Sequence, residues 1–92
     1  VRFRDSALED FHRSGRPPRD VPPELRKVLR RKLAMLDQSR SLDDLRIPPA
    51  NHLEKLRFGL TGYHSIRVNR QFRLVFIWTE RGAEDVHFID YH

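Results

Sequence analysis

Two β-prone runs separated by three polar residues restrict the fold of this chain more than any other stretch. Residues 62–68, Gly-Tyr-His-Ser-Ile-Arg-Val, and residues 72–78, Phe-Arg-Leu-Val-Phe-Ile-Trp, flank Asn69-Arg70-Gln71. That connection is short enough for a tight hairpin, and Asn69 is suited to a left-handed φ. In the first run Ile66 and Val68 share one face, with Ser65 and Arg67 on the other. In the second, Phe72, Leu74, Phe76 and Trp78 share one face, with Arg73, Val75 and Ile77 opposite. One apolar row and one mostly apolar row predict a central strand covered on both sides. Arg73 is the exception, because an unpaired buried guanidinium is very costly and must reach water, an acid or a ligand.

The 92 residues suffice for one modest core, so residues 1–92 read as a single domain. Fifteen of the 18 basic residues are arginine, and the formal net charge is +5. That balance favours a phosphate-rich or acidic partner. The absence of cysteine excludes disulfides, thiol chemistry and thiolate metal sites. No apolar run is long enough to span a bilayer and the N-terminus has no signal-like core, which leads us to expect a cytoplasmic protein with no membrane partner.

Val1-Arg2-Phe3 can form a short first strand, at an edge or inserted in the sheet. Asp5 or Ser6 can cap a helix carrying Ala7, Leu8 and Phe11, stopped by Gly15. After the stiff connection Arg16-Pro17-Pro18-Arg19-Asp20, Pro22-Pro23 opens the strongest helix. Its stripe is Leu25, Val28, Leu29, Leu33 and Leu36, with Arg26, Arg30 and Arg31 outside. Ser41-Leu42-Asp43-Asp44 resembles a capping box with Asp in place of the usual Glu. Residues 52–57 alternate, with Leu53, Arg57 and in one reading Lys55 on one side, and Glu54 and Leu56 on the other. A last strand runs from about Ala83 to Ile89. The order β, α, α and then a meander predicts an α+β fold: an N-terminal helical pair on a twisted, mainly antiparallel sheet of four to five strands.

Phosphate-loop, dinucleotide, metalloprotease and zinc-finger patterns are absent, and His12, His52, His64, His87 and His92 are too scattered for a metal site. His64 and His87 read as strand-surface residues, and Phe76 and Trp78 as core. The closing Asp90-Tyr91-His92 offers groups suited to proton transfer near neutral pH and to stacking on a base.

Asn51-His52-Leu53-Glu54-Lys55-Leu56, the run from Tyr63 to Phe76, and the terminal Asp90-Tyr91-His92 together resemble the HigB toxins of the RelE superfamily. The resemblance covers nearly the whole chain. It implies a ribosome-dependent endoribonuclease that cuts messenger RNA in the ribosomal A site without a metal or other cofactor. It also implies a helix-turn-helix antitoxin of the HigA kind as partner, with operator DNA reached only through that antitoxin. Carried over by position, the catalytic set is Arg73, Asp90, Tyr91 and His92, with Arg57 as the basic residue before the hairpin. Glu54 stands where some members have histidine, so it is a possible base or a tether for an arginine. Lys55, Arg57, Arg67 and Arg73 form the candidate RNA-binding set, although Arg67 also suits support of the sheet surface or contact with an antitoxin acid. The family's common Lys-Gly is Arg57-Phe58 here, and its hairpin tryptophan is Phe72. A non-catalytic basic module that binds RNA or ribosomes is the alternative reading, and a purely structural member of a protein complex is a third.

Overall fold

The computed structural model describes residues 1–90, apart from the side chain of Phe58. Helix α1 spans Ser6–Ser14 and α2 spans Arg26–Gln38, followed by strands β1 (Glu54–Lys55), β2 (His64–Arg67), β3 (Phe72–Thr79) and β4 (Gly82–Asp90). The strands form one antiparallel sheet in the order β1-β2-β3-β4, as a meander requires. The N-terminal segment settles at an edge. Phe3 bridges Val86 in parallel, and Arg2 and Arg4 exchange backbone hydrogen bonds with Ala83 and Val86 along the outer side of β4.

Local chemistry accounts for the helix ends. The Asp5 carboxylate accepts from the Ala7 N–H at the start of α1. Gly15 ends the helix with φ 83°, its N–H donating to the Phe11 carbonyl. A side chain there would also strike Arg30, since an added Cβ would lie 2.8 Å from a guanidinium nitrogen. A 3₁₀ turn, Pro23–Leu25, leads into α2. His12 of α1 meets Asp37 of α2 at 2.9 Å, tying the pair together. Beyond α2, the Asp44 carboxylate accepts from the N–H groups of Arg40 and Ser41, so the shorter acid does serve in this cap. Those bonds hold the Asp44 pKa below the usual carboxylate range.

The core lies between the helices and one face of the sheet. Leu8, Phe11, Leu25, Leu29, Leu33 and Leu36 meet Ile66, Val68, Leu74, Phe76 and Val86, with Trp78 partly buried against them. Phe72 stacks on Phe88 with centroids 4.8 Å apart, a packing role. Lys32 breaks the pattern, lying inside the apolar stripe at only 4% exposure. The hairpin turn also differs from expectation. Asn69 is not left-handed; its carboxamide oxygen accepts from the N–H groups of Gln71 and Phe72 and closes the turn through its side chain. Among the described residues the left-handed non-glycine positions are His52 (φ 44°) and Asp85 (φ 55°).

Candidate functional site

Directly opposed residues of an antiparallel pair share a face, so the register sorts the candidate residues. Glu54, Ser65, Val75 and His87 line up across all four strands. The next row is Arg67, Arg73 and Ile89. Both rows lie on the face away from the helices, since the alternating residues Leu74 and Phe76 belong to the core. The row Lys55, His64 and Phe76 is on the helix side, as is the pair Phe72 and Asp90. The register therefore does not bring Lys55 or Asp90 to the face of Arg73. Asp90 accepts from Gln71 Nε2 at 3.0 Å. Tyr91 and His92 lie outside the described residues.

Arg73 is the best-fixed charge on this face, with 8% exposure. Its Nη1 donates to Ser65 Oγ at 2.5 Å and to the His52 carbonyl at 3.1 Å, and stands 3.4 Å from Glu54 Oε2. A shallow cavity of about 230 Å³ opens over it, lined by His52, Leu53, Glu54 and Arg73. The partner groups orient the guanidinium before any ligand arrives. Arg67 stands directly across from Arg73 and donates from Nε to the Asn69 carbonyl. Arg57 is exposed just past β1. Sequence reasoning missed Ser65 and the His52 carbonyl as ligands of Arg73. The signal for Ser65 was its place on the Arg67 face; the left-handed turn at His52 left none.

A second polar group occupies the far end of the same face. Two guanidinium nitrogens of Arg4 donate to the Asp85 carboxylate at 2.9 and 2.7 Å, and Tyr63 Oη donates to it at 2.5 Å. The Arg4 and Tyr63 bonds hold the Asp85 carboxyl well below the usual range, and the bond to Asp85, followed by burial, pushes the Tyr63 phenol up. Asp85 sits in a β-bulge, because the register slips between Val75 opposite His87 and Ile77 opposite Glu84. His87 Nδ1 lies 2.7 Å from the Asp85 carbonyl, which can only accept. That nitrogen carries the proton, leaving Nε2 as the acceptor in the neutral ring. His64 is under the helices instead, and its pKa is lowered by burial first and then by Lys55 and Arg46. Among the described residues no group of three or more metal-ligating side chains gathers, and no helix is long and apolar enough to cross a membrane.

Helices thus lie on one face of an antiparallel sheet and the Arg73 cradle on the other. In overall fold the chain matches two structures of Staphylococcus aureus YoeB–YefM toxin–antitoxin complexes, with TM-scores of 0.57 and 0.59. Each match covers 99% of this chain and 93% of the other at 24% identity, a likeness of fold alone. A family model described as RelE-like toxin of type II toxin–antitoxin system HigB matches residues 1–92. Toxin HigB-1 of Vibrio cholerae is 40% identical over 92 residues, covering 100% of this chain and 96% of the relative. An uncharacterized protein of Haemophilus influenzae is 41% identical over 90 residues, covering 98% and 88%. The chain belongs to the HigB-like family of type II toxins.

Proposed function

We propose that this toxin is an endoribonuclease that cuts messenger RNA in the ribosomal A site. The observation that carries the reading is the pair of arginines facing each other on the open sheet face, Arg67 and Arg73. Like charges directly opposed destabilise a ladder; Glu54 offsets part of that cost at Arg73, and an anion bound beside the pair offsets more. A phosphate fits the geometry, because an arginine fork binds two of its oxygens at once.

In the proposed reaction the 2′-oxygen forms a bond to the adjacent phosphorus and the bond from phosphorus to the 5′-oxygen breaks. One proton leaves the attacking hydroxyl and one reaches the departing oxygen, so neither water nor metal is needed for the step. Alignment and charge stabilisation are the main requirements. Arg73 meets the charge that develops on the phosphate, and Arg57 and Arg67 help hold the strand. His92 is the proton-transfer group, its unperturbed pKa of about 6.5 being suited to both directions. Asp90 orients the C-terminal group, and Tyr91 stacks on or hydrogen-bonds the scissile nucleotide. Glu54 tethers Arg73, to which its carboxylate is already close. Lys55, on the other face, contributes through general positive potential.

Single-turnover cleavage of a ribosome-bound message tests this division of labour. Arg73→Ala should slow cleavage by about a hundredfold or more, equivalent to ~3 kcal/mol of transition-state stabilisation. His92→Ala should also be severe, and Glu54→Gln milder. Abolition of cleavage by Glu54→Gln with His92→Ala intact would overturn the assignment. Salt-dependent RNA binding without cleavage would instead support the non-catalytic alternative. The partner in the cell is an antitoxin, a helix-turn-helix protein encoded beside the toxin in this reading. Expression of the toxin alone should arrest growth and translation, and co-expression of the neighbouring frame should relieve the arrest.

A further inference from the structure

Asn51 is completely buried and every polar atom of its side chain is engaged. Its Nδ2 donates to the carbonyls of Leu45 at 3.1 Å and Ile47 at 3.4 Å, and its Oδ1 accepts from Lys32 Nζ. One carboxamide thus closes the loop of residues 45–51 on itself and fastens it to α2. Lys32 is an odd residue for that place. It lies among Leu29, Leu33 and Leu36, and burial, followed by Arg31, lowers its pKa. An apolar residue would fill the position at less cost than a desolvated ammonium. Departures of this kind from local rules concentrate where function requires them.

The next residue is His52. Its N–H donates to the Pro49 carbonyl at 3.0 Å, and it adopts the left-handed conformation with φ 44° and ψ 56°. A non-glycine residue stays there only when its surroundings hold it. The turn aims the His52 carbonyl at Arg73 Nη1, 3.1 Å away. β1 begins two residues later, at Glu54.

We infer that Asn51, anchored by Lys32, is a positioning residue for Arg73: it fixes the His52 carbonyl that orients the guanidinium and so ties the helical layer to the open face. The chain of contacts runs Lys32, Asn51, His52, Arg73 and passes around the β1 edge of the sheet. For its activity readout the inference rests on the ribonuclease reading above.

The test compares Asn51→Ala and Lys32→Met with Leu8→Ala, a core change remote from the loop. Each variant is measured well below its melting temperature for single-turnover cleavage of ribosome-bound message, message affinity and the Arg73 side-chain NMR signal. Asn51→Ala should lower the cleavage rate about tenfold with affinity nearly unchanged, and shift the Arg73 signal. Lys32→Met should do the same to a lesser degree, and Leu8→Ala should lower stability while leaving rate per folded molecule and the Arg73 signal intact. A normal rate and an unshifted signal in Asn51→Ala would overturn the inference, as would an equal rate loss in Leu8→Ala. If the wild-type protein cuts no message, the ribonuclease reading fails instead, and the Arg73 signal alone then decides the positioning inference.

Discussion

Phe72, Leu74, Phe76 and Trp78 point from β3 toward α1 and α2, whereas Arg73, Val75 and Ile77 point to the opposite face of the sheet. The first set is held by packing that depends on volume, with Lys32 as the buried exception on the helix side. The second is held by directed polar bonds, from Arg73 to Ser65 and the His52 carbonyl with Glu54 beside it, and from Arg4 and Tyr63 to Asp85. Yet the second face is not bare. Val75 is fully buried and Leu56 is 6% exposed, so its polar groups stand on an apolar floor that limits their motion. One strand therefore serves two purposes: its helix side supplies stability, and its open side presents charge in fixed directions.

That division can be broken by substitution. Leu33→Ala on the helix side should cost about 3–4 kcal/mol in denaturant unfolding and leave the activity of the folded fraction unchanged. A comparable activity loss per folded molecule would mean that the two faces are not separable. Arg73→Lys on the open side should do the reverse. It keeps the charge but loses the fork, so cleavage should drop by about tenfold or more with stability nearly constant. Asp5→Ala removes the α1 cap and should cost about 1 kcal/mol, without effect on the Arg73 cradle. Hydrogen exchange of the first turn of α1 would show the loss as local fraying.

The subtlest test is by pH, because the two faces respond in separate windows. His64, under the helices, has a pKa below its ordinary 6.5, so the unfolded chain binds more protons. Stability should decline as pH falls from 6.5 through that lowered value, and His64→Phe should flatten the decline. Asp85, on the open face, has a pKa well below 3.8. Its contribution is intact above 3.8 and is lost as pH falls through the lowered folded value; Asp85→Asn should remove that acid limb. A single acid transition unaffected by either substitution would contradict the assignment.

Much of the scaffold was legible because it depends on neighbours in sequence. The Asp5 cap, the Gly15 stop, the leucine stripe of α2 and the alternation of β3 each follow from spacing within a few residues. The face of Arg73 was legible for the same reason. Its ligands were harder to find. Ser65 could be placed on the correct face, but the His52 carbonyl comes from a left-handed turn that no glycine or asparagine announces. The Arg4–Tyr63–Asp85 cluster depends on a bulge and a parallel edge contact, both set by tertiary structure. Lys55 and Asp90 lie on the face opposite Arg73, a placement set by strand register that no short window of sequence specifies. Lys32 carries no local signal of burial, because the Asn51 loop that covers it is placed by tertiary structure.

The N-terminal segment along β4 also bears on the order of events during synthesis. Arg4 and Asp85 are 81 residues apart, while the strand-to-strand connections of the meander span eight, four and two residues. Closing so long a loop is slow relative to a local hairpin. As the chain emerges from the ribosome, the helical pair appears first, with its leucine stripe lacking a sheet to cover. Ser65 and Arg73 follow only after most of the polypeptide has been made, and the edge contact needs residues 83–86. A nascent fragment therefore carries the scaffold's apolar surface before it carries a working arginine cradle, and competence arrives late and nearly all at once.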